Sequence, residues 1–168
     1  ILANHPSITN IPAMNNIDHN YFMDMALREA EKAYECEEVP IGAVVVHRNK
    51  IIGRGHNQTI TLKDATAHAE MIAITSAAEI IGDWRLENCT LYSTIEPCTM
   101  CAGAAVLSRI ETIVFGARDP KFGACGSIFE IPTDPRLNHR IEIIPGIMEY
   151  ETAELMQRFF RDIRKRRE

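Results

Sequence analysis

Two short strings constrain this chain more than anything else in it: Ala67-His68-Ala69-Glu70 and Pro97-Cys98-Thr99-Met100-Cys101. One imidazole, one carboxylate and two thiols separated by two residues are the parts of a hydrolytic zinc site. Cys98 and Cys101 stand at i and i+3, which brings both sulfurs to one face if a helix starts there, and Pro97 suits the last pre-helical or first helical position. A helix N-terminus also favours thiolate over thiol, so the pair arrives suited to a metal. With His68 as third ligand a fourth tetrahedral position stays open, the arrangement of a catalytic zinc rather than a structural one. Any fold for the chain must bring the two strings together.

Glu70 lies two residues beyond His68, too close for both side chains to share one direction on a helix. At a helix start its carboxylate is still near enough to reach water at the open position, take its proton and hand it on. Plainer readings compete. Cys98 and Cys101 alone also suit a thiol redox pair or half of a four-thiolate site, and His68 alone an ordinary half-buried histidine. The other cysteines, Cys36, Cys89 and Cys125, are scattered with no second Cys-x-x-Cys, so a structural site lacks ligands. The combined pattern favours catalytic zinc, one ion per chain.

At 168 residues the chain suffices for one full hydrophobic core and is short for two domains. Its 46% hydrophobic and 24% charged residues read as soluble and globular. No run approaches a membrane span and no leader pattern opens the chain, so no membrane partner is expected. Five cysteines, two of them claimed by a metal, argue against a disulfide framework and point to a reducing cytoplasm. The formal charge of -5 disfavours a nucleic-acid partner until its distribution is considered. Arg158, Arg161, Arg164, Lys165, Arg166 and Arg167 crowd the C-terminal end against Asp162 and Glu168. A basic end on an acidic body engages a phosphate backbone locally. The plain alternative is that these arginines complement the dipole of a helix C-terminus.

Residues 1–18 lack periodicity, carry Pro6 and Pro12 as helix breakers, and read as a partly ordered N-terminal extension to a domain over 19–168. Asp18 or Asn20 is placed to cap a helix to about Glu35, with an amphipathic face through Phe22, Met25, Ala26, Glu29 and Ala33. The patterning predicts strands over 41–46, 51–56, 90–93, 112–116 and 141–144, the first two joined as a hairpin by His47-Arg48-Asn49-Lys50. It predicts helices over 67–81, 98–107 and 148–166, with Thr66 as a cap and 57–66 as a polar loop. The near-continuous apolar run of the first strand implies burial on both faces, and Gly53 and Gly55 permit close backbone approach in the second. Ser127 to Asn138 reads as short helix or irregular structure. Strands alternating with helices specify an α/β protein, a three-layer α/β/α sandwich around a five-stranded mixed sheet. Both zinc strings then begin at C-terminal ends of strands or in loops that follow them, where open sheets place ligands. No repeat, glycine-rich phosphate loop or heptad run appears, and Gly53-x-Gly55 lacks the rest of a dinucleotide fingerprint.

The His-x-Glu and Pro-Cys-x-x-Cys pairing resembles the signature of zinc nucleobase deaminases, in which the Glu carries protons and is not a ligand. From about Tyr21 to Arg167 the chain further resembles the bacterial tRNA adenosine deaminase family, which converts the wobble adenosine of an anticodon to inosine. Met100, the Gly116 to Ser127 string, Asn138-His139 and the Phe159-Phe160 helix carry that narrower likeness. The resemblance implies a cytidine-deaminase-like α/β/α fold, a homodimer, and a tRNA anticodon stem-loop as partner. Carried over, Asn57 looks like the residue holding the target base and Asn138 like another pocket contact. Asp119, Lys121, Phe160 and Arg164 look like part of the surface receiving the anticodon loop; taken alone, Asp119 and Lys121 equally suit a solvated turn. Cys125 and the extension before residue 20 depart from the family pattern. A small-molecule deaminase acting on guanine or cytosine shares the zinc residues and stands as the alternative. A non-enzymatic module on the same fold would be expected to lose Glu70 or a ligand, and this chain keeps all four.

Overall fold

The structure, a computed structural model, describes residues 17–167, so residues 1–16 of the extension lie outside it. Its elements are α1 (His19–Glu35), β1 (Gly42–His47), β2 (Lys50–His56), α2 (Thr59–Leu62), α3 (Ala69–Ile81), β3 (Cys89–Ile95), α4 (Thr99–Leu107), β4 (Thr112–Ala117), β5 (Glu142–Ile144) and α5 (Glu149–Arg167). Asp18 caps α1, its carboxylate accepting from the Tyr21 amide at 3.0 Å. Arg48 and Asn49 both adopt positive φ, 48° and 59°, in the turn between β1 and β2, which suits the twist of an antiparallel hairpin.

The sheet order is β2-β1-β3-β4-β5. β1 is antiparallel to both β2 and β3, while β3, β4 and β5 run parallel. Side chains alternate between two cores. Val44, Val46, Tyr92 and Val114 meet Phe22, Met23 and Ala26 of α1. Ala43, Val45, Leu91, Ile113 and Phe115 meet Ala69, Ala73, Ala77, Ala102 and Ala105 of α3 and α4. Thr152 of α5 accepts from the Ala117 amide at 3.0 Å, fixing α5 at the end of β4. The three-layer α/β/α sandwich on a five-stranded mixed sheet is as expected.

Strand direction positions everything that follows. β2, β3 and β4 all point the same way, so their C-terminal ends share one edge of the sheet. Asn57 follows β2, Pro97-Cys98 follow β3 and Arg118-Asp119 follow β4 on that edge. Helix α3 reaches it by lying close on β2. A Cβ on Gly53 or Gly55 would stand 2.2 Å from the carbonyl oxygen of Ala73 or Ala69, so only glycine allows this approach.

Three local expectations are corrected. The stretch 57–66 is not all loop: it contains α2, whose first-turn amides, Ile60 and Thr61, donate to the distant Glu38 carboxylate. Thr66 does not cap α3. Its amide and hydroxyl both bond Asp64 at 2.8 Å, and His68 occupies the cap position with its ring turned elsewhere. Helix α4 starts one residue later than expected, because Cys98 is extended (φ -74°, ψ 176°) and is itself the cap. Among the described residues no helix is long and apolar enough to cross a membrane.

Candidate active site

His68 and Cys98 each precede the first turn of a helix without using the side chain as a cap. Both side chains are instead spent on one another. His68 Nδ1 lies 3.6 Å from the sulfur of Cys98 and 3.6 Å from that of Cys101, and all three ligand atoms fall within 4.8 Å. Zinc–sulfur and zinc–nitrogen bonds of about 2.3 and 2.0–2.1 Å at the tetrahedral angle put nitrogen and sulfur about 3.6 Å apart. The two observed edges match that separation, so the residues fit a zinc ion with a fourth position left over. The electrostatics agree. The Cys101 thiol, and then His68, pull Cys98 down to about 4, while Cys98 pushes Cys101 up and raises His68. A cluster that parts with a thiol proton this readily suits a dication.

Glu70, on the first turn of α3, is 4% exposed. Burial is the main reason its carboxyl is raised above the ordinary carboxylate value. The Ser93 hydroxyl stands 3.3 Å from its Oε1 and 2.7 Å from the Ile95 carbonyl oxygen. With a single proton to give, Ser93 donates over the shorter bond, and its oxygen is left as an acceptor facing Glu70.

Asn57 is brought to this cluster through the backbone, by Gln58 N donating to the Ala67 carbonyl at 3.0 Å, one residue before His68. Lys121, Phe160 and Arg164 line one open groove of about 480 Å³ with Met156, Gln157 and Arg161. Asp119 shapes the loop that delivers Lys121, its Oδ1 accepting from the Lys121 and Phe122 amides at 2.9 and 3.2 Å. Asn138 is not brought to the zinc residues of its own chain. It precedes β5 and so sits at the opposite edge of the sheet, where its Oδ1 accepts from Arg109 at 3.2 Å.

Residues not singled out by motif also build the site. Glu96, immediately before Pro97-Cys98, is 3% exposed and accepts from the amides of Asp119, Cys125 and Ser127 at 3.1, 3.0 and 3.0 Å and from the Ser127 hydroxyl. Burial pushes its carboxyl up, but those donors outweigh it and hold the group below the ordinary value. It clasps the 119–127 loop to the turn that carries Cys98, which Ala124 N also joins by donating to Pro97 O at 2.9 Å. The Glu-Pro-Cys string held the only local hint. Cys125 is buried there, its thiol pushed up to about 12 by burial, and takes no part in the ligand cluster.

Comparison with known proteins matches residues 16–117 to the cytidine and deoxycytidylate deaminase zinc-binding region. The tRNA-specific adenosine deaminase of Bacillus subtilis (strain 168) is 49% identical over 146 residues, covering 87% of this chain and 91% of that protein. That of Aquifex aeolicus (strain VF5) is 48% identical over 144 residues, covering 86% and 95%. Among solved structures, a tRNA deaminase studied for A-to-I editing at the wobble position of transfer RNA superposes with a TM-score of 0.79 at 44% identity, covering 82% of this chain and 99% of that one. A guanine deaminase from Nitrosomonas europaea shares the fold at a TM-score of 0.71 and 23% identity, covering 84% of each chain.

Proposed function

The chain belongs to the zinc-binding cytidine and deoxycytidylate deaminase family, in its branch of tRNA-specific adenosine deaminases, and from that membership we infer that it hydrolyses adenosine to inosine at the wobble position of a tRNA anticodon loop. The observation that carries the chemistry is the pair of tetrahedral edges that His68 makes with both cysteines. Those three residues would hold one zinc ion per chain, which would supply the Lewis acidity that makes a water beside Glu70 reactive near neutral pH.

Glu70 moves the protons. A carboxylate oxygen takes one from the attacking water as its oxygen bonds to C6 and hands it to the ring nitrogen beside C6; it then carries the remaining proton of the added hydroxyl to the amino group, the C6–N bond breaks and ammonia leaves. Water and adenosine enter, inosine and ammonia depart, and the carboxyl returns to its starting state. Ser93 steadies it in the protonated phase by offering an oxygen lone pair. Asn57 holds the base, which must be unstacked to enter, and an anticodon loop lowers that cost because its bases are already unpaired. Phe160 stacks on RNA while Lys121 and Arg164, in the same groove, meet phosphate, and Asp119 keeps Lys121 in place. The protein works in the cytoplasm as a homodimer.

A short anticodon stem-loop with adenosine at the wobble position tests the reading against the free-base alternative. Inosine should form in the stem-loop while free adenine, guanine and cytosine stay poor substrates. Rapid conversion of free guanine or cytosine with no turnover of the stem-loop would overturn it.

A further inference from the structure

We propose that Glu38 is a positioning residue for the target base, fixing the orientation of the Asn57 side-chain amide so that the pocket meets its substrate with that amide already set. The inference rests on the reading of Asn57 as a base contact. Glu38 stands in the connection between α1 and β1 and has no solvent exposure. Its carboxylate accepts from Thr61 N at 2.7 Å, Ile60 N at 3.2 Å, Thr59 Oγ1 at 3.3 Å and Asn57 Nδ2 at 3.4 Å. Side chains that merely fill space between a helix and a hairpin are apolar, because burying a charge is costly unless donors surround it. Here the donors all come from one segment, the one that begins with Asn57.

An ionised carboxylate can only accept. It therefore turns the amino end of the Asn57 amide toward itself, and Thr59 Oγ1, giving its own proton to Glu38, accepts from the same nitrogen at 3.4 Å. What Asn57 has left to offer faces outward. Its Oδ1 has no partner among the described residues and is reached by solvent, although the residue as a whole is only 4% exposed. Two anchors thus act on different parts of Asn57. The backbone is tied to β1, by Asn57 N donating to the Ile41 carbonyl at 3.0 Å, and to the zinc strings through Gln58. Glu38 sets the flip. An amide free to turn over would offer donor and acceptor alternately and discriminate little; a fixed one reads a fixed pattern.

The test is a double-mutant cycle on the zinc-loaded protein, using single-turnover deamination of the stem-loop at saturating RNA. Glu38→Gln keeps the size but can donate as well as accept, so it releases the flip. The rate should fall about tenfold, the middle of the range for directly coupled pairs, while zinc content, and KM from a separate steady-state series over RNA concentration, change little. In an Asn57→Ala background the same substitution should have no further effect. Glu38→Asp, which keeps the charge but withdraws it from Asn57, should behave alike and serves if the Gln variant folds poorly. Equal losses in both backgrounds, or a wild-type rate in both Glu38 variants, would overturn the proposal. A wild-type rate for Asn57→Ala alone would instead remove Asn57 as a base contact, and the Glu38 role with it.

Discussion

Glu70 and Cys101 sit on the first turns of neighbouring helices, yet one side chain is proposed to hold metal and the other to carry protons. The two roles separate experimentally. Glu70→Ala should retain zinc by elemental analysis and lose at least about a hundredfold in the single-turnover rate, the low end for positioned acid–base catalysis. Cys101→Ala should lose zinc and rate together. A fast Glu70→Ala enzyme would remove that carboxylate from the mechanism. Glu38 carries a prediction of different sign. Burial raises its carboxyl, but the Thr61 and Ile60 amides and the Thr61 and Thr59 hydroxyls outweigh it, so the folded value is depressed. A depressed carboxylate contributes stability that is fully present above the unfolded value and is lost as pH falls through the folded one. The stability gap between wild type and Glu38→Gln should therefore be widest near neutrality and close as the solution is acidified below the ordinary Glu range; thermal unfolding across pH reads it directly. The zinc ligands and Glu70 were legible because their chemistry depends on spacings of two and three residues. Glu38, Ser93 and Glu96 were not, since each acts on a partner some twenty or more residues away.

At the scale of elements, the site depends on how closely α3 lies on β2. Gly55→Ala would place a methyl carbon 2.2 Å from the Ala69 carbonyl oxygen, and Ala69 separates His68 from Glu70. Backbone has to move, so we expect a cost of about 1–3 kcal/mol in unfolding and weaker zinc retention in a chelator titration. Gly103→Ala is the control. Nothing lies within 4 Å of its added methyl, so there the higher helix propensity of Ala should be neutral or stabilising by up to about 1 kcal/mol. Equal thermal shifts in the two variants would refute the packing argument. The glycines of β2 were readable as places of close approach, and β1 as buried on both faces, because strand composition records both. The small residues of α4 invite the same reading, but Gly103 meets open space: composition permits contact without specifying a neighbour. Helix α2 escaped notice for a related reason. It is four residues long, Ile60 and Leu62 are exposed, and its cap is supplied by Glu38 rather than by Gln58.

Across the whole molecule, strand direction decides which residues can share a site, and direction is a property of the sheet that no local string reports. Asn138 is the example: it lies in a family-like string, but β5 runs parallel to β4, so the segment before it falls at the far edge beside Arg109. The basic C-terminal end shows the same principle with charge. Six cations close together suggested one RNA-binding surface, yet the fold divides them. Arg158 stacks on Tyr34 with 5.0 Å to the ring centre, Arg161 pairs with Glu154 at 2.8 Å, and Arg166 pairs with Glu37 at the end of α1. Tyr34 also donates to Asp162, so this side of α5 is occupied in docking against α1. Arg164 makes no ion pair among the described residues and shares its groove with Lys121 and Phe160. A cation already neutralised by a carboxylate releases fewer counterions when it meets phosphate than one that is not. Arg164→Ala should therefore lower the slope of log affinity against log salt for the stem-loop, by at most about one unit, with zinc content and melting temperature unchanged. Arg166→Ala should leave the slope near the wild-type value. Equal drops for the two variants, measured by titration at several salt concentrations, would mean that the division of charge seen along α5 does not govern how the protein meets RNA.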